Sequence, residues 1–309
     1  MSSLFLSSEE MTSHQALILR RVRDIPALPK IVNQIISLLG QPNTPASEIA
    51  RLITLDPGLS SRVLRMVNSA AYGIQRQITS IQHAIMLLGF TTVRGLVLSA
   101  SIFKLFSGTT CSGLYLQDFW QHCVVSALVA RRLGEWLKLA DFEEAFSAGL
   151  LHDIGKLVLD QYLSRDYANV LLTAKTRQIP PQANHFYDLE FSILNCTHAS
   201  IGELVAHKWK LPLSLTEAIA FHHAPEKAQQ FPALVHVVAL ANQLAHVRHS
   251  DPISLADFSL TSPISYFQLN LDNPPVHHML KSILTEAIEA SQLLLDSLET
   301  PELSPTQEL

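Results

Sequence analysis

The chain has 309 residues and a formal net charge of −5, with 48% hydrophobic and 16% charged residues. A chain of that length and apolar content buries a sizeable core, which excludes an intrinsically disordered protein. Its three cysteines (Cys111, Cys123 and Cys196) show no CxxC spacing, which excludes a disulfide framework and a thiolate zinc site and suits a reducing cytoplasm.

Residues 1–20 form an N-terminal extension, and residues 1–24 lack the basic start and long apolar core of a signal peptide. From there the periodicity is helical nearly everywhere, with almost no strand-like alternation, so the expected fold is all-α. Thr44-Pro45 and Asp56-Pro57 each offer a capping side chain followed by proline at the first helical position. Thr79 and Gln82 have the spacing of a capping box. Leu59, Val63, Met66 and Val67 make one apolar stripe, and Ile81, Ala84, Ile85 and Leu88 another. These helices predict an N-terminal bundle over residues 21–106. The most apolar stretch, 84–103, is interrupted by Gly89, Thr91, Thr92 and Arg94, so no membrane span is predicted.

A linker of small and polar residues, 107–112 (SGTTCS), precedes a second helical set over 113–250 that begins near Asp118. Phe119, His122, Ser126, Val129 and Leu133 share one helix face, which turns His122 inward. In AFSAGLLHDIGKLVL, His152 and Asp153 come late in an apolar helix, Gly155 permits a bend, and Lys156 stands one turn on. His198 opens a helix whose inner face runs through Ile201, Gly202, Val205 and Trp209. Leu215, Ile219 and His222 share a face of the next helix, with His223 adjacent and Pro225 ending the run. Val235, Val238, Ala239 and Asn242 line a further helix. Residues 251–298 read as a proline-punctuated loop and an amphipathic helix from 276, and 299–309 as a mobile acidic tail.

One histidine on an apolar helix face is more often a hydrogen-bonded core residue than a ligand. Here the groups recur: His122, His152 with Asp153, His198, and His222 with His223. Neutral imidazole and carboxylate suit divalent ions such as Zn, Mn or Fe, so the pattern points to a metal pocket. His14, His83, His185, His236, His246, His249, His277 and His278 follow no such pattern, and His207 falls off the His198 face and is expected to be solvated.

Helix-borne H…HD…H…HH resembles the HD superfamily of metal-dependent phosphohydrolases. The segments IPALPKIVNQIISLL, ITLDPGLSSRVLRMVNSAAYG, FWQHCVVSALVARRL, AGLLHDIGKLVL, THASIGELVAHKWKLP and AIAFHHAP are closer to its HDOD branch, over about residues 20–250. The resemblance implies an N-terminal helical bundle packed on an HD-like helical bundle. It also implies one or two divalent ions (Fe, Mn, Zn or Mg) on His122, His152, Asp153, His198, His222 and His223. Asp153 would bridge, and Lys156 would meet a phosphate in any catalytic role. Asn242 stands where catalytic relatives carry a carboxylate, and APEKAQQFPA replaces the Gly-Tyr-Pro signature of the related cyclic-dinucleotide phosphodiesterases. The implied function is a bacterial signal-transduction module acting through a protein partner. The alternative is a metal-dependent phosphohydrolase or phosphodiesterase with a nucleotide-type phosphate ligand. A nucleic-acid regulator ranks third. Residues 1–110 hold 10 Lys/Arg against 5 Asp/Glu and the remainder 12 against 22, from totals of 22 and 27. The arginines, among them Arg51, Arg62, Arg65 and Arg76, are dispersed, which favours packing of the two parts on each other over a nucleic-acid footprint.

Overall fold

The computed structural model describes residues 25–299 except 26, 40, 42–43, 70–71, 75, 107–109, 141, 180–183 and 247–261. The expected extension 1–20, half of the linker, residues 251–261 of the proline-punctuated loop and the tail from residue 300 lie outside the described residues. Every regular element among the described residues is helical.

Four helices build the N-terminal bundle: α1 (Lys30–Leu39), α2 (Ala46–Thr54), α3 (Pro57–Val67) and α4 (Ile81–Leu105). Asp56 caps α3 as its spacing predicts, its carboxylate accepting from Leu59 N at 2.9 Å. The other two start signals are displaced by one residue. Pro45 rather than Thr44 stands at the N-cap of α2 with no side-chain cap, and Ser80, accepting from His83 N, caps α4 in place of Thr79. α4 is long and apolar enough to cross a membrane, but most of that stretch is buried in the core. Gly89 interrupts it with φ 78° and ψ 171°, a left-handed conformation that glycine alone enters without steric cost.

The second bundle begins with α5 (Leu116–Trp136) and α6 (Phe142–Leu151), which pack along each other. Short helices follow: α7 (Ile154–Tyr162), α8 (Ser164–Thr176), α9 (Asn184–Leu194), α10 (His198–Lys208) and α11 (Leu213–Phe221). After a 3₁₀ turn at Pro225–Lys227 come α12 (Pro232–Ala245), the short α13 (Ser262–Tyr266) and α14 (Pro274–Glu299). α12 lies across α5 and α6, α10 sits on α7 and α11, and α14 runs beside α5 and reaches α3. The bundles meet where α4 packs on α6. There the Arg94 guanidinium pairs with Glu144 at 2.5 Å, one point at which the basic N-terminal part meets the acidic remainder.

Two buried carboxylates hold the loops around this frame. Asp160 accepts from Cys111 N and Ser112 N, each at 3.0 Å, and ties the end of the linker to α7. Glu217 accepts from Gln230 N and Phe231 N and so binds the start of α12 to α11. Both satisfy backbone donors that have no helical partner.

Candidate metal centre

The site forms where three helix ends and two helix faces meet. α6 stops at Leu151, the chain turns through His152 and Asp153, and α7 restarts at Ile154. His152 and Asp153 thus occupy an inter-helix turn and do not continue an apolar helix. Gly155 lies inside α7 and makes no bend; a Cβ there would lie 1.9 Å from the backbone oxygen of His198. Its bare backbone lets α10 approach closely enough to bring His198 over Asp153.

Thr197 caps α10 through a reciprocal pair with Ser200, which fixes His198 as the first residue of that helix. His222 caps the C-terminal end of α11 with His223 next to it, and His122 points inward from α5. Side chains of His122, His152, Asp153, His198 and His222 are between 0% and 7% exposed, and His223 is only partly buried.

Asp153 is the hub. His122 Nε2 and His152 Nε2 lie 3.6 and 3.4 Å from its Oδ2. His198 Nε2 and His222 Nε2 lie 3.1 and 3.6 Å from its Oδ1. His198 Nε2 is a further 3.2 Å from His222 Nε2 and 3.1 Å from His223 Nε2. The ligand atoms therefore form two groups that share the carboxylate, each drawn within 4.8 Å.

The tautomers are set from behind. His152 Nδ1–H donates to Gly149 O at 2.7 Å, His222 Nδ1–H to Ile219 O at 2.9 Å, and His198 Nδ1–H to Glu190 Oε2 at 2.6 Å. In the neutral form each ring turns its Nε2 lone pair into the cluster, the arrangement by which proteins orient histidine ligands. His122 Nε2, His152 Nε2 and Asp153 Oδ1 are buried without a hydrogen-bond partner. Acceptors that converge out of water with no donor between them are costly unless a cation joins them. Nitrogens 3.1–3.2 Å apart match neighbouring ligands at about 2.0–2.1 Å from one ion. The residues present fit a divalent metal.

Electrostatics agree. Burial pushes the Asp153 carboxyl up, but His152, Lys156 and His198 outweigh it and hold the group well below the usual carboxylate range. Burial lowers His222 to about 3 and keeps His122 and His223 well below the ordinary imidazole value. His198 goes the other way. Burial opposes its charging, yet the Glu190 carboxylate, with Asp153, raises it above the ordinary value. Positive charge is stabilised at that point of the cluster.

All six histidine and aspartate side chains singled out in the sequence come together. Lys156 joins them, 3% exposed, its Nζ donating to Asp153 Oδ2 at 2.5 Å. Asn242 is 3% exposed on α12 and its Oδ1 is buried without a partner. Three residues were missed. Glu190, fully buried on α9, accepts from both the ring and the backbone N–H of His198. Tyr187 sets its ring 4.8 Å from that of His223. His246, expected to have no place in the pattern, lies with its ring centre 4.9 Å from that of His122, and burial lowers its pKa to about 4. Its position one helical turn after Asn242 was the available signal. His207, by contrast, is solvated as expected, its side chain 63% exposed.

An all-helical frame that buries one carboxylate among five imidazoles defines a candidate divalent-metal centre of the HD type. The chain belongs to the HDOD domain family, whose model matches residues 25–225. An uncharacterised protein of Treponema pallidum (strain Nichols) is 28% identical over 235 residues, 75% of this chain, which spans 44% of the length of that relative. Among solved structures, an HDOD domain protein of unknown function from Geobacter sulfurreducens matches with TM-score 0.73 and 24% identity, covering 90% of this chain and 98% of the other. A candidate phosphohydrolase from Shewanella amazonensis SB2B matches with TM-score 0.69 and 26% identity over the same shares, 90% and 98%. A protein from Marinobacter aquaeolei VT8, named as a candidate signal transduction protein, matches with TM-score 0.66 and 19% identity, covering 93% and 68%.

Proposed function

We propose that this chain is a cytoplasmic module of bacterial signal transduction. Its HDOD domain holds divalent metal on the His/Asp cluster and acts through a protein partner. One observation carries the reading: His122 Nε2, His152 Nε2 and Asp153 Oδ1 converge out of water without a hydrogen-bond partner, as a cation site requires. By resemblance Asn242 stands where hydrolytic relatives of the HD type carry a carboxylate, and a neutral amide there weakens metal-dependent chemistry. The signalling name carried by the Marinobacter aquaeolei VT8 relative is in keeping with this role.

The second reading, a metal-dependent phosphohydrolase, has its own support in the buried Lys156 ammonium beside Asp153 and in the name of the Shewanella amazonensis SB2B relative. A bound divalent ion would supply Lewis acidity toward a phosphoryl oxygen. This chain's own contribution would be Lys156 as a phosphate contact, Glu190 holding the His198 ring, and Tyr187 beside the part-open His223.

Metal analysis of the purified protein, together with hydrolysis of bis(p-nitrophenyl) phosphate in Mn or Zn, tests both readings. The proposal expects bound metal that disappears in Asp153→Ala, and no turnover at ordinary enzyme rates of about 1 per second or more. Turnover at such rates that is abolished by Asp153→Ala would put the enzyme first. Absence of metal in the wild type would remove the proposal's basis.

A further inference from the structure

The two halves of the cluster are not equivalent, and the difference lies in the charges around Asp153. On the Oδ1 side stand three imidazoles, His198, His222 and His223. Behind His198 lies a second buried carboxylate, Glu190, 2.6 Å from Nδ1. A dication there has two carboxylates close by, Asp153 as a ligand and Glu190 through the ring of His198. The groups against Asp153 Oδ1 are imidazoles, His198 Nε2 at 3.1 Å and His222 Nε2 at 3.6 Å.

On the Oδ2 side the donors are His122 and His152. No carboxylate other than Asp153 belongs to that group. A side-chain amine already occupies its anionic oxygen: Lys156 Nζ lies 2.5 Å from Asp153 Oδ2, closer than either imidazole. This ammonium is 3% exposed and has an aromatic neighbour, the Phe186 ring centre 5.9 Å away, so it is enclosed on the cluster side. A dication bound to Oδ2 would sit against an ammonium in a medium that screens poorly, and buried like charges at that range repel strongly.

Resting on the metal-binding reading above, we infer that the cluster holds one divalent ion, on the Asp153 Oδ1 side, and that Lys156 takes the place of a second ion on the Oδ2 side. The Lys156 side chain is then part of the centre's charge balance, and the protein is mononuclear by construction. Asn242 fits the same scheme: a carboxylate at that position would be needed to hold a second dication but is superfluous beside an ammonium. His122 and His152 serve as neutral neighbours of the Lys156–Asp153 pair.

Calorimetric titration of the chelator-treated full chain with Mn, with stoichiometry checked by elemental analysis after dialysis, tests the inference. One equivalent is expected in the wild type and in Lys156→Arg, none in His198→Ala, one in His122→Ala, and a second equivalent in Lys156→Met. Electron paramagnetic resonance of the Mn-loaded wild type should show the six-line signal of an isolated ion, a readout that stands even where a variant fails to fold. Two equivalents, or an exchange-coupled Mn pair, in the wild type would overturn the inference and leave the metal-binding reading intact. Loss of the ion in His122→Ala with retention in His198→Ala would overturn it equally. No bound Mn at all would refute the metal-binding reading beneath it.

Discussion

Gly155→Ala changes no ligand of the cluster and is expected to damage it severely. A Cβ at residue 155 would lie 1.9 Å from His198 O, 2.7 Å from His198 C and 2.9 Å from Gly202 N. Ordinary carbon–oxygen contact begins near about 3.4 Å, so α7 and α10 must part by roughly 1.5 Å, and the obstruction is backbone, which cannot rotate away. Asp153 precedes α7 by one residue and His198 opens α10, so that displacement acts directly on the 3.1 Å approach of His198 Nε2 to Asp153 Oδ1. Metal–ligand distances tolerate only about 0.2 Å. Overpacking of this kind costs about 1–3 kcal/mol, and loosening a buried ion-pair cluster adds to it, giving about 3 kcal/mol in all. Urea unfolding followed by circular dichroism should show a midpoint lower by about 1 M if the slope is about 3 kcal/mol per M. Gly134→Ala is the control. Its nearest neighbour is a Cβ at 3.0 Å, remote from the cluster, and its cost should be under about 1 kcal/mol. Unchanged stability in Gly155→Ala, within about 0.5 kcal/mol, would refute the claim that close approach of α7 and α10 builds the site.

Glu190→Gln keeps the shape of the carboxylate that holds His198 but not its charge, and should weaken metal binding by about 10- to 100-fold in a calorimetric titration; an unchanged affinity would mean that Glu190 does not orient the ligand. Asn242→Asp adds an anionic oxygen on α12 and should leave the Mn stoichiometry at one equivalent while Lys156 is in place, whereas a second equivalent would mean that Lys156 does not stand in for an ion. The metal-free protein should lose stability as pH falls from about 6.5 towards 4. His222 and His246 are held at about 3 and about 4, so below 6.5 the unfolded chain takes up protons that the native state refuses. His198, raised by Glu190, contributes in the opposite sense, stabilising most at low pH. Between pH 6 and 5 His198 is charged in both states, so His222 and His246 together remove up to about 2.7 kcal/mol per pH unit, and His122 and His223, also held well below the ordinary value, add in the same direction; the loss is readable from urea midpoints at the two pH values. A midpoint that rises on acidification would contradict the burial of these neutral imidazoles.

The ligand set was legible because each member carries a local signal. His122 sits in a run of core residues at helical spacing, His152 and Asp153 are adjacent, and His198 opens an apolar helix face. What joins them was not. Glu190 lies on a helix eight residues before His198, and a glutamate in that setting reads as a solvated charge until α9 is folded against α10. Lys156 is misleading for the same reason: most helical lysines are solvated, but this one is buried by its pairing with Asp153. Gly155 carries the general signal of a glycine, which sequence takes for a bend, whereas the fold uses it for contact between two backbones. His246 needed only the step from Asn242 to the next turn of the same helix. The cap displacements at Pro45 and Ser80 are one-residue shifts that leave the helices and their buried faces in place.

The central claim, that this buried cluster is a metal centre, is tested most directly by anomalous diffraction at the metal edge from crystals of the full chain grown with Mn or Zn. The account predicts a single strong peak bonded to Asp153, His198, His222 and His223, on the side of the carboxylate away from Lys156. Asp153 without an ion in crystals saturated with metal, or an ion held only at other residues, would contradict it.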